Sequence, residues 1–250
     1  MTSIGILGIS GRMGRLLAEE VTAAGATLAG GTARTGDQWP TNPQALARTA
    51  QALIDFTSAD ATLPHLQAAR DARIPLILGT SGLSPAQEAA LTDAALDIPI
   101  VYAANFAPGV NLVLALAERL AASLPPETYD AEILETHHRQ KIDAPSGTAI
   151  ALGRAVATGR HTTLEQAGTE SGRTGHTGPR QPGAIGFASL RAGQVVGEHT
   201  LLFASASEHI ALTHRSFDRR VYATGAVRAA LWAVSQPPGL YGMKHVLGMA

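Results

Sequence analysis

The sequence contains no cysteine among its 250 residues, and only 4% of its residues are aromatic. The lack of cysteine excludes disulfide bonds, thiolate metal sites and cysteine nucleophiles, so the fold depends on its apolar core. The formal net charge is -1, from 19 basic and 20 acidic side chains. This balance excludes a general attraction to nucleic acid or to an anionic membrane, so any positive field that binds a ligand must be local.

Long apolar runs are also missing from the chain. We find no uncharged apolar stretch of about 18 residues, which a membrane-spanning helix would need. The N-terminal segment MTSIGILGIS has no basic region ahead of its short apolar run, unlike a secretory signal. We therefore predict a cytoplasmic protein with no membrane or nucleic-acid partner.

Short apolar runs alternate with helical patterns over the first hundred residues. This alternation predicts a doubly wound parallel sheet with helices on both faces, in an α/β fold. Between the first two runs, apolar residues recur at helical spacing, and Gly25 supplies a stop. The five runs, which predict strands buried on both faces, cover residues 3–8, 27–31, 52–56, 74–79 and 98–104.

The pattern changes after Pro108, where an apolar stripe predicts a helix that ends at Pro125 and Pro126. Residues 159–183 are rich in glycine and polar side chains, which predicts a long functional or mobile loop. A last helix is predicted over about residues 219–235. Between the long loop and this last helix, three β-rich runs predict an antiparallel meander. They cover residues 184–193, 194–205 and 207–216.

Glycines recur directly after the first predicted strand, in GILGISGRMGRLL. A dinucleotide pyrophosphate needs a tight turn, a backbone without side chains and a helix N-terminus that directs amides at the charge. Gly8, Gly11 and Gly14 meet these needs, although Ser10 replaces the middle glycine of the usual G-x-G-x-x-G pattern. The loop predicts a dinucleotide site in a Rossmann-like domain; the alternative is a strand-to-helix turn without a ligand.

Cofactor choice is expected at the end of the second strand, in the segment GGTARTGD. Within this segment no acidic residue precedes Arg34, so a ribose 2'-phosphate would meet a cation there. We therefore expect NADPH to be preferred, with NADH as a second possibility. Alternatively, Arg34 is an idle loop residue, and Arg12, which could meet a phosphate, is a solvated surface arginine.

The segment HHRQKIDAPSGT, at residues 137–148, places four potentially cationic side chains within five positions. A solvated strand edge is the simplest interpretation. A metal site is disfavoured because His137 and His138, as neighbours on a strand, would point to opposite faces. Nucleic-acid binding is disfavoured because acidic side chains flank the cluster.

A pocket for a small anion is the interpretation that the rest of the segment favours. Ser146 is a good N-cap, and Gly147 and Thr148 would expose backbone N–H groups at a helix start, where a substrate carboxylate fits. Lys141 could donate a proton, and a histidine beside it suits proton exchange near neutral pH.

Eight segments now occur in order along the chain: GRMG, DFT, GTSG, AANFAPGVN, ETHHRQKIDAPSGTA, GHTGPRQPGAIGFASLRAG, VGEHT and GAVRAALW. Together they resemble the 4-hydroxy-tetrahydrodipicolinate reductase family, also called dihydrodipicolinate reductase. The resemblance implies an oxidoreductase of the diaminopimelate route to lysine. Such an enzyme uses NAD(P)H to reduce a cyclic, unsaturated dicarboxylate imine to tetrahydrodipicolinate.

The resemblance also implies roles for individual residues. His137 matches the proton donor and acceptor of the family, and Lys141 matches its proton donor. Substrate-binding positions match His138, Gly147 and Thr148. Cofactor contacts match Gly8, Ile9, Ser10, Gly11, Arg12, Met13, Arg34, Gly79, Thr80, Ser81, Ala103, Ala104, Asn105 and Phe106.

The change of pattern near residue 109 predicts two domains: residues 1–108, completed by 218–250, bind the dinucleotide, and residues 109–217 form a smaller α+β domain with a mixed sheet. The resemblance implies that this second domain binds the small dicarboxylate substrate and builds a homotetramer. Two alternatives stay open. A related NADP-dependent amino-acid or imino-acid dehydrogenase would share the glycine loop without needing the cationic segment, and a non-catalytic NADP-sensing protein would keep the loop and drop the proton donors.

The other histidines fall into two groups. Those interpreted as surface or packing residues are His65, His161 and His245. Those in or beside the β-rich half are His176, His199, His209 and His214. Their role beyond structure is left open, because a lone histidine seldom acts without an oriented partner.

Overall fold

The computed structural model describes residues 1–35 and 38–249, so Gly36 and Asp37 of the GGTARTGD segment lie outside the described residues. The chain forms two compact units, one of Met1–Pro108 with Arg220–Ala250 and one of Gly109–Arg219. Within the described residues, no helix is long and apolar enough to cross a membrane.

The first unit contains a six-stranded parallel sheet. Its strands are β1 (Ser3–Leu7), β2 (Thr27–Thr32), β3 (Ala52–Asp55), β4 (Leu76–Leu78), β5 (Pro99–Tyr102) and β11 (Gly239–Tyr241). They lie in the order β11-β5-β4-β3-β1-β2. The predicted doubly wound sheet is confirmed. Strand β11 was not predicted, because three residues carry too little periodicity to be recognised.

Helices cover both faces of this sheet. They are α1 (Arg12–Ala23), α2 (Pro43–Ala47), α3 (Thr62–Ala72), α4 (Pro85–Ala94), α8 (Arg220–Ala233) and α9 (Met243–Val246). Successive strand residues belong to different apolar clusters: Ile54 packs with residues of α1, α8 and α9, whereas Leu53 packs with residues of α2, α3 and α4. Each strand therefore buries both faces, which explains its unbroken apolar sequence.

The second unit is a mixed sheet with helices. Its elements are α5 (Pro108–Ser123), β6 (Asp130–His137), α6 (Gly147–Gly159), α7 (Leu164–Ala167), β7 (Thr169–Ser171), β8 (Ile185–Arg191), β9 (Gly197–Ala204) and β10 (His209–Ser216). The strands lie in the order β10-β9-β6-β8-β7. Strands β6 and β8 are parallel, whereas β9 pairs antiparallel with both β6 and β10. One face packs on α5 and α6 through residues such as Ile133 and Val156.

Two predictions for this unit are wrong in part. Only β9 and β10 form a meander pair, because β6 lies between β8 and β9. Turn sequences alone could not reveal this insertion, since β6 is distant in sequence. The predicted loop at 159–183 contains α7 and β7. Its helix begins at a capping box formed by Thr163 and Gln166, a short signal that falls within an otherwise loop-like composition.

Candidate active site

The glycine loop of the first unit is shaped by close backbone approaches. Gly8 follows β1 with a φ of 78°, a region that side chains rarely adopt. A Cβ on Gly14, inside α1, would lie 2.2 Å from the carbonyl oxygen of Gly8. Gly11 is the N-cap of α1, and no side chain caps this helix. The first amides of α1 therefore adjoin a backbone surface without side chains, which is what a phosphate requires.

A cavity of about 600 Å³ lies beside this loop. Its lining comes from the residues that follow β1, β2 and β3, together with one side chain of α3. The lining residues include Gly8, Ser10, Gly11, Ala33, Arg34, Phe56, Thr57 and His65. Since the carboxyl ends of parallel strands meet at one edge of a sheet, the loop and Arg34 share this cavity. Four predicted cofactor residues thus come together there: Gly8, Ser10, Gly11 and Arg34.

The other predicted cofactor residues do not line this cavity. Arg12 is exposed, whereas Ile9 is buried and Met13 packs against the core. Gly79, Thr80 and Ser81 follow β4, and Ala103, Ala104, Asn105 and Phe106 follow β5. Phe106 is buried, with its ring centroid 5.3 Å from that of Phe56. The Thr80 hydroxyl is buried and has no hydrogen-bond partner among the described residues.

His65, which was interpreted as a surface or packing residue, is half-buried and makes a polar contact that the sequence did not predict. His65 lines the cavity, and its Nδ1 lies 2.7 Å from Oδ2 of Asp55, which is fully buried at the end of β3. The other carboxylate oxygen of Asp55 accepts hydrogen bonds from the amide and the hydroxyl of Thr57. The signal was a buried strand that ends in an acidic residue, followed by a histidine in the next helix.

The cationic segment of the second unit begins inside the sheet. His137 is the last residue of β6, which pairs with β8 on one side and β9 on the other, so the strand-edge interpretation is wrong. His137 is buried, His138 is half-buried and Arg139 is exposed. Both carboxylate oxygens of Asp143 accept hydrogen bonds of 2.8 Å from the Lys141 ammonium, which lowers the pKa of Asp143.

Glu135 holds His137 from two positions earlier on the same strand face. Its Oε2 lies 2.5 Å from Nδ1 of His137, and its side chain is 1% exposed. Arg191 donates to both carboxylate oxygens of Glu135 at 2.9 Å. Burial by itself raises the pKa of Glu135, but the hydrogen bonds from Arg191 and His137 outweigh it and lower the pKa to about 2. An ionised carboxylate only accepts hydrogen bonds, so the contact with Glu135 favours a hydrogen on Nδ1 of His137.

Helix α6 begins beside this pair. The predicted N-cap is confirmed: the Ser146 hydroxyl oxygen accepts from the Ala149 amide at 3.2 Å. The Ser146 amide donates to Oε1 of Glu135 at 3.2 Å, so the same carboxylate also holds the start of the helix. Gly147 is exposed, with open space around the position of a Cβ, and Thr148 is half-buried.

Two further histidines lie on the same sheet face, and sequence reasoning had left their roles open. His199 of β9 pairs with Glu135 of β6 on one side of the strand and with His214 of β10 on the other. Its Nε2 lies 2.9 Å from the Ser146 hydroxyl, and its ring centroid lies 5.1 Å from that of His137. Burial, followed by the nearby His137, lowers the pKa of His199 to about 4, so the ring is neutral at neutral pH. Burial also lowers the pKa of His214.

The family described as "Dihydrodipicolinate reductase, N-terminus" matches residues 2–106, and "Dihydrodipicolinate reductase, C-terminus" matches residues 109–247. The chain is 62% identical over 254 residues to 4-hydroxy-tetrahydrodipicolinate reductase of Granulibacter bethesdensis, covering 98% of this chain and 97% of that protein. It is 60% identical over 246 residues to the enzyme of the same name from Acidiphilium cryptum, with coverage of 98% and 97%.

A solved structure shares the fold. Dipicolinate-bound dihydrodipicolinate reductase from Paenisporosarcina sp. TG-14 superposes with a TM-score of 0.81 at 24% sequence identity. The match covers 99% of this chain and 100% of that one. The likeness therefore extends over both compact units, and it agrees with the predicted combination of a parallel sheet and a second, mixed sheet.

Proposed function

The chain belongs to the dihydrodipicolinate reductase family, and on that premise we propose that it uses a nicotinamide nucleotide to reduce 4-hydroxy-tetrahydrodipicolinate to tetrahydrodipicolinate. The observation that supports this most is the Glu135-held His137 at the end of β6, close in sequence to Lys141 and to the start of α6. This combination of proton donors and an anion-binding helix start suits a small dicarboxylate that takes up a proton.

The residues of the glycine loop fit a dinucleotide. The approach of Gly14 to Gly8 leaves no room for a side chain, and Ser10 and Gly11 line the adjoining cavity. When bound, the nucleotide supplies the hydride. We propose that Arg34 binds the 2'-phosphate, because it lines the same cavity and no acidic residue is among the described lining residues. NADPH is then preferred over NADH.

We place the substrate carboxylates near the start of α6. Gly147 and Thr148 occupy its first two positions, at the helix N-terminus, where the helix dipole favours a negative charge. His138 directly follows His137, and its Nδ1 is buried without a hydrogen-bond partner among the described residues. These three residues offer donors, which is what a dianionic ring needs.

The candidate groups for proton transfer are His137 and Lys141. Conversion of the 4-hydroxy substrate to tetrahydrodipicolinate takes up a hydride and a proton and releases the hydroxyl group as water, so the chain must supply a proton donor. The Lys141 ammonium carries one, and Asp143 keeps it localised through its two hydrogen bonds. His137, with its Nδ1–H engaged by Glu135, can accept or donate a proton at Nε2. We assign the two residues as the proton-transferring pair.

Coupled turnover tests this function. The synthase that makes the substrate from pyruvate and aspartate semialdehyde is added to the assay, so that the substrate forms in the same solution. The loss of NADPH or NADH is followed by absorbance. Rapid loss that depends on the synthase supports the reductase, and comparison of the two nucleotides tests Arg34. Intact NADPH binding by calorimetry without turnover would instead favour a related dehydrogenase or an NADP-sensing protein.

We also propose that the chain assembles as a homotetramer through its mixed sheet. Apolar side chains such as Leu134 of β6 and Leu190 of β8 are exposed on the second unit, where a neighbouring copy would bury them. Light scattering at several protein concentrations measures the mass in solution. A mass of one or two chains at all concentrations would contradict this assembly.

A further inference from the structure

We propose that Glu135 is a positioning residue, whose single carboxylate orients both the proton-transferring His137 and the substrate-binding start of α6. This inference rests on the proposed function, and it deepens that function by giving Glu135 a second task at the start of α6 beside its contact with His137. Glu135 does not need to touch the substrate: it acts through His137 and through Ser146.

Each carboxylate oxygen of Glu135 contacts one of the two groups that it orients. Oε2 faces Nδ1 of His137, and Oε1 accepts from the Ser146 amide. Arg191 donates one nitrogen to each oxygen, so the carboxylate cannot rotate without breaking a pair of charge-assisted hydrogen bonds. Arg191 is in turn held by the carbonyl oxygens of Leu190 and Asp143. The carboxylate thus has a defined plane and a defined position.

Charge and tautomer follow from this arrangement. The Arg191 guanidinium, the Ser146 amide and the Ser189 hydroxyl all direct hydrogen bonds at Glu135, and the bidentate guanidinium favours the ionised carboxylate. The buried carboxylate therefore stays ionised, and it selects the Nδ1–H form of a neutral His137 ring. Gly197 lies across the sheet from His137, where a Cβ would be 3.0 Å from Nε2. A glycine at that position leaves space beside the exchanging nitrogen.

The alternative is that Glu135 and Arg191 form an ion pair that only stabilises the sheet. The two roles differ in what Glu135→Gln changes. An amide keeps the shape of the side chain but replaces one acceptor oxygen with a donor, so it can stabilise the opposite, Nε2–H tautomer of His137. If the ion pair is only structural, Glu135→Gln lowers the stability of the chain and leaves the tautomer of His137 unchanged. It then does not lower kcat while the Kd for NADPH stays the same.

The experiment reads the tautomer by NMR on protein labelled with 15N in histidine, with His137→Gln used to assign the signal. In the neutral ring of the wild-type chain we expect the hydrogen on Nδ1, and in Glu135→Gln a shift toward Nε2. We further expect kcat of Glu135→Gln to fall by about 10- to 100-fold, while the Kd for NADPH changes less than about twofold. Glu132→Gln is the matched control, because Glu132 lies on the same strand and pairs with Arg180 instead.

A wild-type His137 with its hydrogen on Nε2 would overturn the inference without any variant, so failure of Glu135→Gln to fold does not leave it untested. A folded Glu135→Gln with wild-type kcat and an unchanged tautomer would also overturn it. Without turnover by the wild-type chain the proposed function is wrong, and the NMR signal still decides whether Glu135 orients His137.

Discussion

Nδ1 of His65 lies 2.7 Å from Oδ2 of Asp55, in the wall of the cavity beside the glycine loop. Asp55 is fully buried, and among the described residues its side chain forms no ion pair with lysine or arginine. Its remaining hydrogen bonds come from Thr57, through Oδ1. The histidine is therefore the sole described partner of Oδ2, so the carboxylate depends on a residue that also faces the cavity.

Replacing His65 is expected to destabilise the chain. In His65→Ala, Oδ2 of Asp55 loses its partner inside the protein, which costs on the order of 1–3 kcal/mol of unfolding free energy. His65 also lines the cavity beside the glycine loop, so the Kd for NADPH is expected to rise several-fold when its side chain is removed. Urea unfolding and calorimetry measure the two effects. The control is His209→Ala, at an exposed position of β10; equal stability of the two variants would contradict this prediction.

Lys141→Ala removes the proposed proton donor from the second unit. We expect kcat to fall by about 100-fold or more, because general acid catalysis contributes about 10²–10⁴-fold. The Kd for NADPH should not change, since Lys141 is not among the described residues that line the cavity beside the glycine loop. Steady-state kinetics and calorimetry measure these quantities, with exposed Arg139→Ala as the control. If kcat stays at the wild-type value, Lys141 takes no part in the mechanism.

Arg34→Ala is expected to weaken NADPH about tenfold or more, because a charge-assisted hydrogen bond contributes about 1.5–3 kcal/mol. NADH, which lacks the 2'-phosphate, should lose little affinity. The control is Arg12→Ala, at the start of α1, where both nucleotides would present the same pyrophosphate. Calorimetric Kd values for both nucleotides give the comparison. Equal losses for NADPH and NADH in Arg34→Ala would rule out the 2'-phosphate assignment.

Stability is expected to fall with acid in two stages. The folded-state pKa of His199, about 4, lies below its ordinary value of 6.5, so the unfolded chain binds more protons between these values and stability is lost as the pH falls from 6.5 to 4. The full shift corresponds to about 3 kcal/mol. Glu135, with a pKa of about 2 against 4.5, contributes stability above pH 4.5 that is lost as the pH falls to 2.

Urea unfolding across this pH range checks both stages. His199→Gln keeps an acceptor for the Ser146 hydroxyl but cannot titrate, so its stability should depend less on pH between 6.5 and 4 than that of the wild type. His209→Gln, at an exposed position, should follow the wild-type curve. Parallel curves for His199→Gln and the wild type would show that His199 is not the group responsible.

Local patterns in the sequence predicted much of this structure. Apolar runs such as residues 52–56 became buried parallel strands, and the helix predicted over 219–235 is α8. The glycine loop and the Ser146 cap were also predicted correctly in their local structure. These features depend on which side chains are buried and on backbone contacts within a few residues, and both leave a signal at short spacing.

Only the tertiary structure decided which distant residues meet. The insertion of β6 between β8 and β9, the pairing of Glu135 with Arg191 56 positions away, and the contact of His65 with Asp55 left no periodic signal. Strands with similar apolar patterns can pair in several orders, and a buried carboxylate can be satisfied by any donor that packing brings near it. The sequence by itself therefore determined most of the longer elements, the glycine loop and the candidate proton donors. Long-range packing determined which groups hold those donors in place.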